Sequence, residues 1–356
     1  MPNIEIYLCE KKYFKKKYKN KLLIDLHFFE PSPNKEKKVC NLQAERMVKR
    51  TLTILPTWLI YPFYISFEYF KFNQDHFVKN LSSNKDPYGL LDKYDCHFKF
   101  ETNEIKKGQN FLKKYGLSSD SKFICLNVRD SFYLKKYFPS IDFSYHNYRD
   151  VDISIFENAV NELLQRNYFI FRVGKITNQS LKINHERYID LTNSNLEDFF
   201  DLYLGANCEI CITTSSGFDS TPYVFRRKLI YLQVPISHFF SSSERYFIFT
   251  RYHFDILLKR YLTLKEIFEK KAQNADSEEK YKSKSIRLIS PSKEEIRDII
   301  VEALNYYELP DKTKVSVNQK NFWKIYKNSI LKDQSLENYH KKFRAYFSEI
   351  QINKLI

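Results

Sequence analysis

Four hydroxyl residues and a glycine stand in a row at Thr213-Thr214-Ser215-Ser216-Gly217, between an apolar run at 207–212 and a helix-like stretch at 217–227. A strand that turns directly into a helix aims backbone N–H groups and hydroxyls beyond its end. The helix N-terminus adds partial positive charge there. This is chemistry for a phosphate, and Gly217 lets a ligand approach the backbone. A capped turn with no ligand uses the same residue types, but it needs fewer hydroxyls than this segment carries.

Arginines supply the second half of the pattern. Arg129-Asp130 follows the apolar run 122–128, and Arg172-Val173-Gly174 ends the run 168–173. Ligands of open α/β sheets gather at the carboxyl ends of strands, where an arginine holds a diphosphate through charge-assisted bonds. The reading therefore places Arg172 and Gly174 near Arg129 in one crevice. Asp130 is the first candidate for a general base, or for orienting Arg129, and His146 is the second. His146, Arg149, Asp150 and Asp152 share a tyrosine-rich loop suited to cover a substrate. The alternatives are an interdomain salt bridge for Arg129, a solvated strand end for Arg172 and a plain surface loop for 146–152.

Other chemistries lack their residues. Only six glycines occur, with no G-x-G-x-x-G and no G-x-x-x-x-G-K-[ST], so a dinucleotide dehydrogenase and a P-loop enzyme are not expected. The eight histidines show no zinc spacing, and there is no G-x-S-x-G elbow. Cys208-x-x-Cys211, read as part of a strand, sends its sulfurs to opposite faces, so no metal site is expected. The six cysteines are too scattered for a disulfide framework.

The elements that must position these residues alternate. Strands are expected at 122–128, 168–173, 187–191, 207–212 and 229–234. Between them, a helix opens at Ser154 with Glu157 in a capping box, another near Asn195, and a third at 217–227. Ser292 and Glu295 cap a helix to about Tyr307. Such alternation argues a parallel sheet covered on both faces. The first half is less regular: a strand fits 22–28, helices fit 41–51 and 103–115, and 71–100 is loop-rich. The stretch 52–70 contains Pro56, Pro62 and Glu68, which argue against a spanning helix. It is expected as a buried strand–loop–strand, with a membrane-docking surface as the alternative. The mixed-charge segment 271–284 is expected to be a loop. The apolar start at 4–8 has no strand before it, which raises the prospect that the first domain lacks its opening strand. Domains are expected at 1–118 and 119–310, with C-terminal helices over 311–356 packing back on the first.

The chain has 356 residues, 43% of them hydrophobic, and a net charge of +15 from 58 Lys and Arg against 43 Asp and Glu. A field of that sign attracts polyanions, and residues 11–21 (KKYFKKKYKNK) concentrate it. No secretory apolar segment opens the sequence, so a cytoplasmic protein is expected, soluble or held peripherally on an anionic membrane face. No nucleic-acid recognition signature accompanies the charge.

Several blocks together resemble the glycosyltransferases of bacterial surface-polysaccharide gene clusters: ICLNVRDSFYL (124–134), YRDVDISIFENAVNELL (148–164), FRVG (171–174), DLYLGANCEICITTSSGFDSTPYVFRRKLIYLQVP (201–235) and LTLKEIF (262–268). The resemblance implies a GT-B-like α/β fold, two Rossmann-like domains facing across a cleft. It implies a nucleotide-sugar donor on the C-terminal domain, a glycan or lipid-linked glycan acceptor, no cofactor and no required metal. Where the family pattern is R-N-x-D-I, this chain has Arg149-Asp150-Val151-Asp152-Ile153, which leaves the role of Asp150 open. Rival readings are a nucleotide-sugar epimerase of the same fold, a non-catalytic relative, and a basic binding protein.

Overall fold

The computed structural model describes residues 1–14, 24–29, 41–70, 85–118, 121–137, 139–236, 239–309, 316–330 and 341–356. In chain order its elements are α1 (Pro2–Phe14), α2 (Leu42–Thr51), α3 (Thr57–Tyr69), α4 (Thr102–Lys114), β1 (Phe123–Asn127), α5 (Phe132–Tyr137), α6 (Glu157–Gln165), β2 (Phe169–Arg172), β3 (Tyr188–Asp190), α7 (Asp198–Asn207), β4 (Ile210–Thr213), α8 (Ser220–Val224) and β5 (Lys228–Val234). They continue with β6 (Tyr246–Thr250), β7 (Tyr252–Asp255), β8 (Arg260–Tyr261), α9 (Leu264–Glu269), α10 (Glu278–Lys282), β9 (Ile286–Ile289), α11 (Lys293–Glu308), α12 (Val317–Ile330), β10 (Tyr346–Phe347) and α13 (Glu349–Leu355).

Seven strands form one parallel sheet in the order β10-β6-β5-β4-β1-β2-β3, and β7, β8 and β9 form a small antiparallel sheet. The strands are apolar runs because both faces are covered. Ile124, Leu126, Ile170, Ile212 and Leu232 face one core with Val160 and Leu163 of α6 and Ile296 and Ile299 of α11. Cys125, Phe171, Cys211, Leu229 and Tyr231 face the other, with Leu202 of α7 and Val224 of α8. The α/β class read from the sequence is the class observed.

Over 1–118 the regular elements among the described residues are helices, joined by turns and loop at 85–101, with one bridge between His27 and Ile54. These helices add Ile6, Cys9, Met47, Val48 and Phe111 to the second core. Helix α1 packs on α8, and α2 and α4 pack on α7. At Gly108 a Cβ would lie 2.2 Å from the Tyr203 ring, so only glycine lets α4 and α7 approach this closely. Buried Glu5 of α1 accepts from Arg226 at 2.6 Å and faces His97 Nδ1 at 3.1 Å, tying α1 to the turn after α8.

Several expectations are revised. Residues 57–69 form helix α3, much of it exposed, in place of a buried strand–loop–strand. The segment 271–284 is an ordered pair of short helical turns, with Tyr281 of α10 buried. The helix expected from Ser154 opens as a 3-10 turn, Ile153–Phe156, capped by Asp152. Cys208 caps α7 before the strand begins and shares one core with Cys211 and Cys125, so the opposite-face argument against that pair does not hold. Burial pushes the Cys125 and Cys211 thiols up and keeps them protonated.

The C-terminal segment is not helical throughout. It adds β10 to the sheet edge beside β6. The Gln319 side-chain amide pairs with both the N–H and the C=O of Phe347, and Gln351 does the same for Thr250. Two glutamines thus satisfy backbone groups that a further strand would otherwise take. The same segment reaches the N-terminal region through Arg344 and Asp92, 3.1 Å apart. Of the sequence calls, 15–21 of the basic run, 22–23 of the first strand, 71–84 of the loop-rich stretch, 119–120 at the first domain boundary, 310–315 at the last boundary and 331–340 of the C-terminal helices lie outside the described residues.

Candidate active site

The strand order runs β3-β2-β1-β4-β5-β6, so the chain winds outward from β1, then returns to start β4 on its other side. The crevice beyond the carboxyl ends of β1 and β4 is the topological switch point, where doubly wound sheets bind ligands. Asn127 ends β1 and pairs in register with Thr213, which ends β4. The Thr213–Gly217 turn and Arg129 therefore share this edge.

The turn is wired to β1. Thr214 N–H donates to the Asn127 carbonyl at 3.2 Å, and Arg129 N–H donates to Thr214 Oγ1 at 2.8 Å. Ser215 N–H donates to Thr213 Oγ1 at 3.1 Å, and Ser216 Oγ bonds Asn127 Oδ1. Three of the four hydroxyls thus shape the turn itself. Ser215 holds a left-handed φ of 65°, a strained conformation for a residue with a side chain. A Cβ on Gly217 would meet nothing within 4 Å, so this position faces open space. The expected helix 217–227 is shorter, a 3-10 turn at Gly217–Asp219 followed by the five-residue α8.

Three arginines gather at the 144–150 loop that packs on this turn. Arg149 donates to the Ser215 carbonyl at 3.0 Å. Arg129 Nε lies 3.5 Å from Asp150 Oδ1. Arg251, at the end of β6, donates to the carbonyls of Tyr148 and Asp150 and so clamps the tyrosine-rich loop to the sheet edge. Burial, then the charge of Arg149, lowers the Arg129 pKa. Burial raises Asp150 and pushes Asp219 up to about 7. The Nε atoms of Arg129, Arg149 and Arg251, with Asp219 Oδ2, are buried without hydrogen-bond partners. Buried polar groups are normally satisfied, and guanidinium Nε donors without hydrogen-bond partners, around a loop packed on a strained turn, fit an anion that would complete them.

His146 sits on the 3-10 turn Ser144–Arg149, its ring 4.0 Å from that of Tyr145 and its Nδ1 buried and unpartnered. Burial first, then Arg149 and Arg129, lowers its pKa below the ordinary 6.5, so it is neutral at neutral pH. Asp130 is placed differently: one carboxylate oxygen accepts from Phe132 N–H at 3.0 Å and the other from Asn178 N–H at 2.9 Å. It lines a cavity of about 240 Å³ with Lys135, Asp150 and Asp152. Asp152 accepts from Ser154 N–H at 2.9 Å as a cap.

Arg172 does not join the cluster. Its guanidinium is 2% exposed and bonds Asp190 at 2.9 Å, Thr177 Oγ1 at 3.2 Å and the Gln179 carbonyl. Gly174, at φ 143°, lines a separate cavity of about 270 Å³ with Lys175, Asp198 and Asp201. Sequence reasoning missed Arg251 and Asp219. Arg251 carried a usable signal, since it follows the apolar run 246–250 as Arg129 follows β1. Asp219 carried none.

No family model and no curated protein matches the chain. Among solved structures it is similar to E. coli ADP-heptose lps heptosyltransferase II, at 16% sequence identity over 38% of each chain, with a TM-score of 0.28.

Proposed function

We propose that this chain is a glycosyltransferase that holds a nucleotide-sugar donor at the β1/β4 switch point and moves its sugar to a hydroxyl of a glycan or lipid-linked glycan. The observation that carries this reading is the gathering of Arg129, Arg149 and Arg251 around the 144–150 loop, which Arg149 bonds to the Thr213–Gly217 turn, with the Nε atoms of all three buried and without hydrogen-bond partners. In the transfer, the acceptor oxygen bonds to the anomeric carbon as the bond to the diphosphate oxygen breaks. The acceptor proton goes to a base, and negative charge grows on the departing nucleoside diphosphate. Arg129 and Arg149 stabilise that charge, an interaction strongest in the transition state. Ser215, Ser216 and Gly217 form the open edge against which the phosphates rest. His146 is the better candidate base, because it is neutral and unpartnered at Nδ1, whereas both Asp130 oxygens are engaged by backbone N–H groups. Arg172 serves in this reading as a fold residue, pinning the β2–β3 loop to Asp190.

The test is a thermal-shift and calorimetric screen of the purified chain against nucleoside diphosphates and nucleotide sugars, repeated with Arg129→Ala and Gly217→Val. A nucleotide that stabilises the wild type and neither variant supports the site. Wild-type binding retained in both variants places the donor elsewhere. Release of an epimerised nucleotide sugar without an acceptor would replace transfer with epimerisation.

A further inference from the structure

Helix α3, TWLIYPFYISFEY, is apolar at ten of its thirteen positions and yet lies on the surface. Its inner side is fixed to the body. Tyr61 and Tyr64 stack on each other and pack edge-on against Phe28, and Thr57 Oγ1 donates to the Phe29 carbonyl at 2.8 Å. Its outer side exposes Trp58 (77%), Phe63 (60%), Phe67 (50%) and Tyr69 (80%), with Leu59 and Ile65 between them. A helix this apolar is normally covered by something, and an exposed apolar patch marks an interaction surface. Thirteen residues span about 20 Å, too short for a hydrocarbon core of about 30 Å. No helix among the described residues is long and apolar enough to cross a membrane.

We infer that α3 is a docking helix that lies in the interface of an anionic lipid surface. Two observations favour lipid over a second copy of this chain. The chain carries a net charge of +15, which opposes bringing two copies together and draws the protein to an anionic surface. Trp58 and Tyr69, at the two ends of the helix, are residue types that settle at the depth of lipid headgroups. The Phe28 segment beneath α3 also joins it to α1: His27 packs on Tyr7, Asp25 pairs with Lys11 in the last turn, and Lys12 lies beside it. An apolar helix with a cationic neighbour combines the two terms of interfacial binding. The inference does not depend on the transferase reading.

The test is flotation of the full chain with phosphatidylcholine vesicles and with phosphatidylcholine–phosphatidylglycerol vesicles at low salt. The wild type should float with the anionic vesicles and largely stay behind with the neutral ones. The triple variant Trp58→Ser, Phe63→Ser, Phe67→Ser should lose on the order of a hundredfold in partitioning. All three side chains are exposed, so the variant should keep the wild-type melting temperature. In a Trp323→Phe background, Trp58 emission should shift to the blue on adding anionic vesicles. The inference is overturned if the wild type stays unbound with both vesicle types, or if the triple variant floats as well as the wild type. It is also overturned if sedimentation shows a wild-type dimer that the triple variant loses, which would assign the face to a second copy.

Discussion

The backbone N–H of Arg129 donates to the side-chain oxygen of Thr214 at 2.8 Å, joining the end of β1 to the end of β4 across the switch point. The bond uses the main chain of Arg129 and leaves its guanidinium free of the turn. Arg129→Ala should therefore keep the turn and lose only charge. The expected result is a fall in kcat of roughly 30- to 1000-fold, about 2–4 kcal/mol, with little change in melting temperature. Arg149→Ala should lose more, because its side chain also holds the Ser215 carbonyl. Steady-state kinetics with the nucleotide sugar found by screening, read beside thermal melts, separates the two.

Two glycines should respond in opposite ways. At Gly217 added atoms meet open space, so Gly217→Val should fold normally and block the ligand. At Gly108 a Cβ would lie 2.2 Å from the Tyr203 ring, so Gly108→Ala should separate α4 from α7 at a cost of about 1–3 kcal/mol. Calorimetric melts and nucleotide titrations of both variants check this. Gly108→Ala should melt several degrees lower, whereas Gly217→Val should melt like the wild type and bind nothing.

If His146 takes the acceptor proton, the rate must follow its neutral form. Its pKa lies below 6.5, lowered by burial and by Arg149 and Arg129. Activity should hold at neutral pH and fall as pH drops through that lowered value. His146→Gln should reduce kcat by about 10²–10⁴-fold and remove this acid limb. An unchanged acid limb in the variant would transfer the base role to another group.

His253 gives a stability prediction with a defined window. It is buried, with Nδ1 3.1 Å from the Arg251 carbonyl, and burial lowers its pKa from 6.5 to about 4. Below pH 6.5 the unfolded chain takes up a proton that the folded chain refuses. Its contribution is therefore fully present above pH 6.5 and is lost as pH falls toward about 4, to a total of ~3 kcal/mol. Denaturant melts across this window should show a steeper loss for wild type than for His253→Phe.

The sequence by itself determined the doubly wound pattern between residues 123 and 234, but not β6 or the small antiparallel sheet that follow. Buried parallel strands must be apolar on both faces, and 123–127, 210–213 and 228–234 show it without tertiary help. It also located the turn at Thr213–Gly217 and Arg129, because both directly follow strand ends and connectivity alone sets which sheet edge they occupy. Tertiary structure decided where side chains point. Arg172 also ends a strand, but its register with Leu126 turns it toward the α6 face, where Asp190 and Thr177 enclose it. Arg149 and Arg251 lie 102 positions apart in the chain, and only the folding of the 144–150 loop onto the end of β6 brings them together. The aromatic stretch 57–69 reads the same whether protein or solvent lies outside it. Its hydropathy requires a cover, and only the packing shows that the described residues of this chain leave its outer side bare.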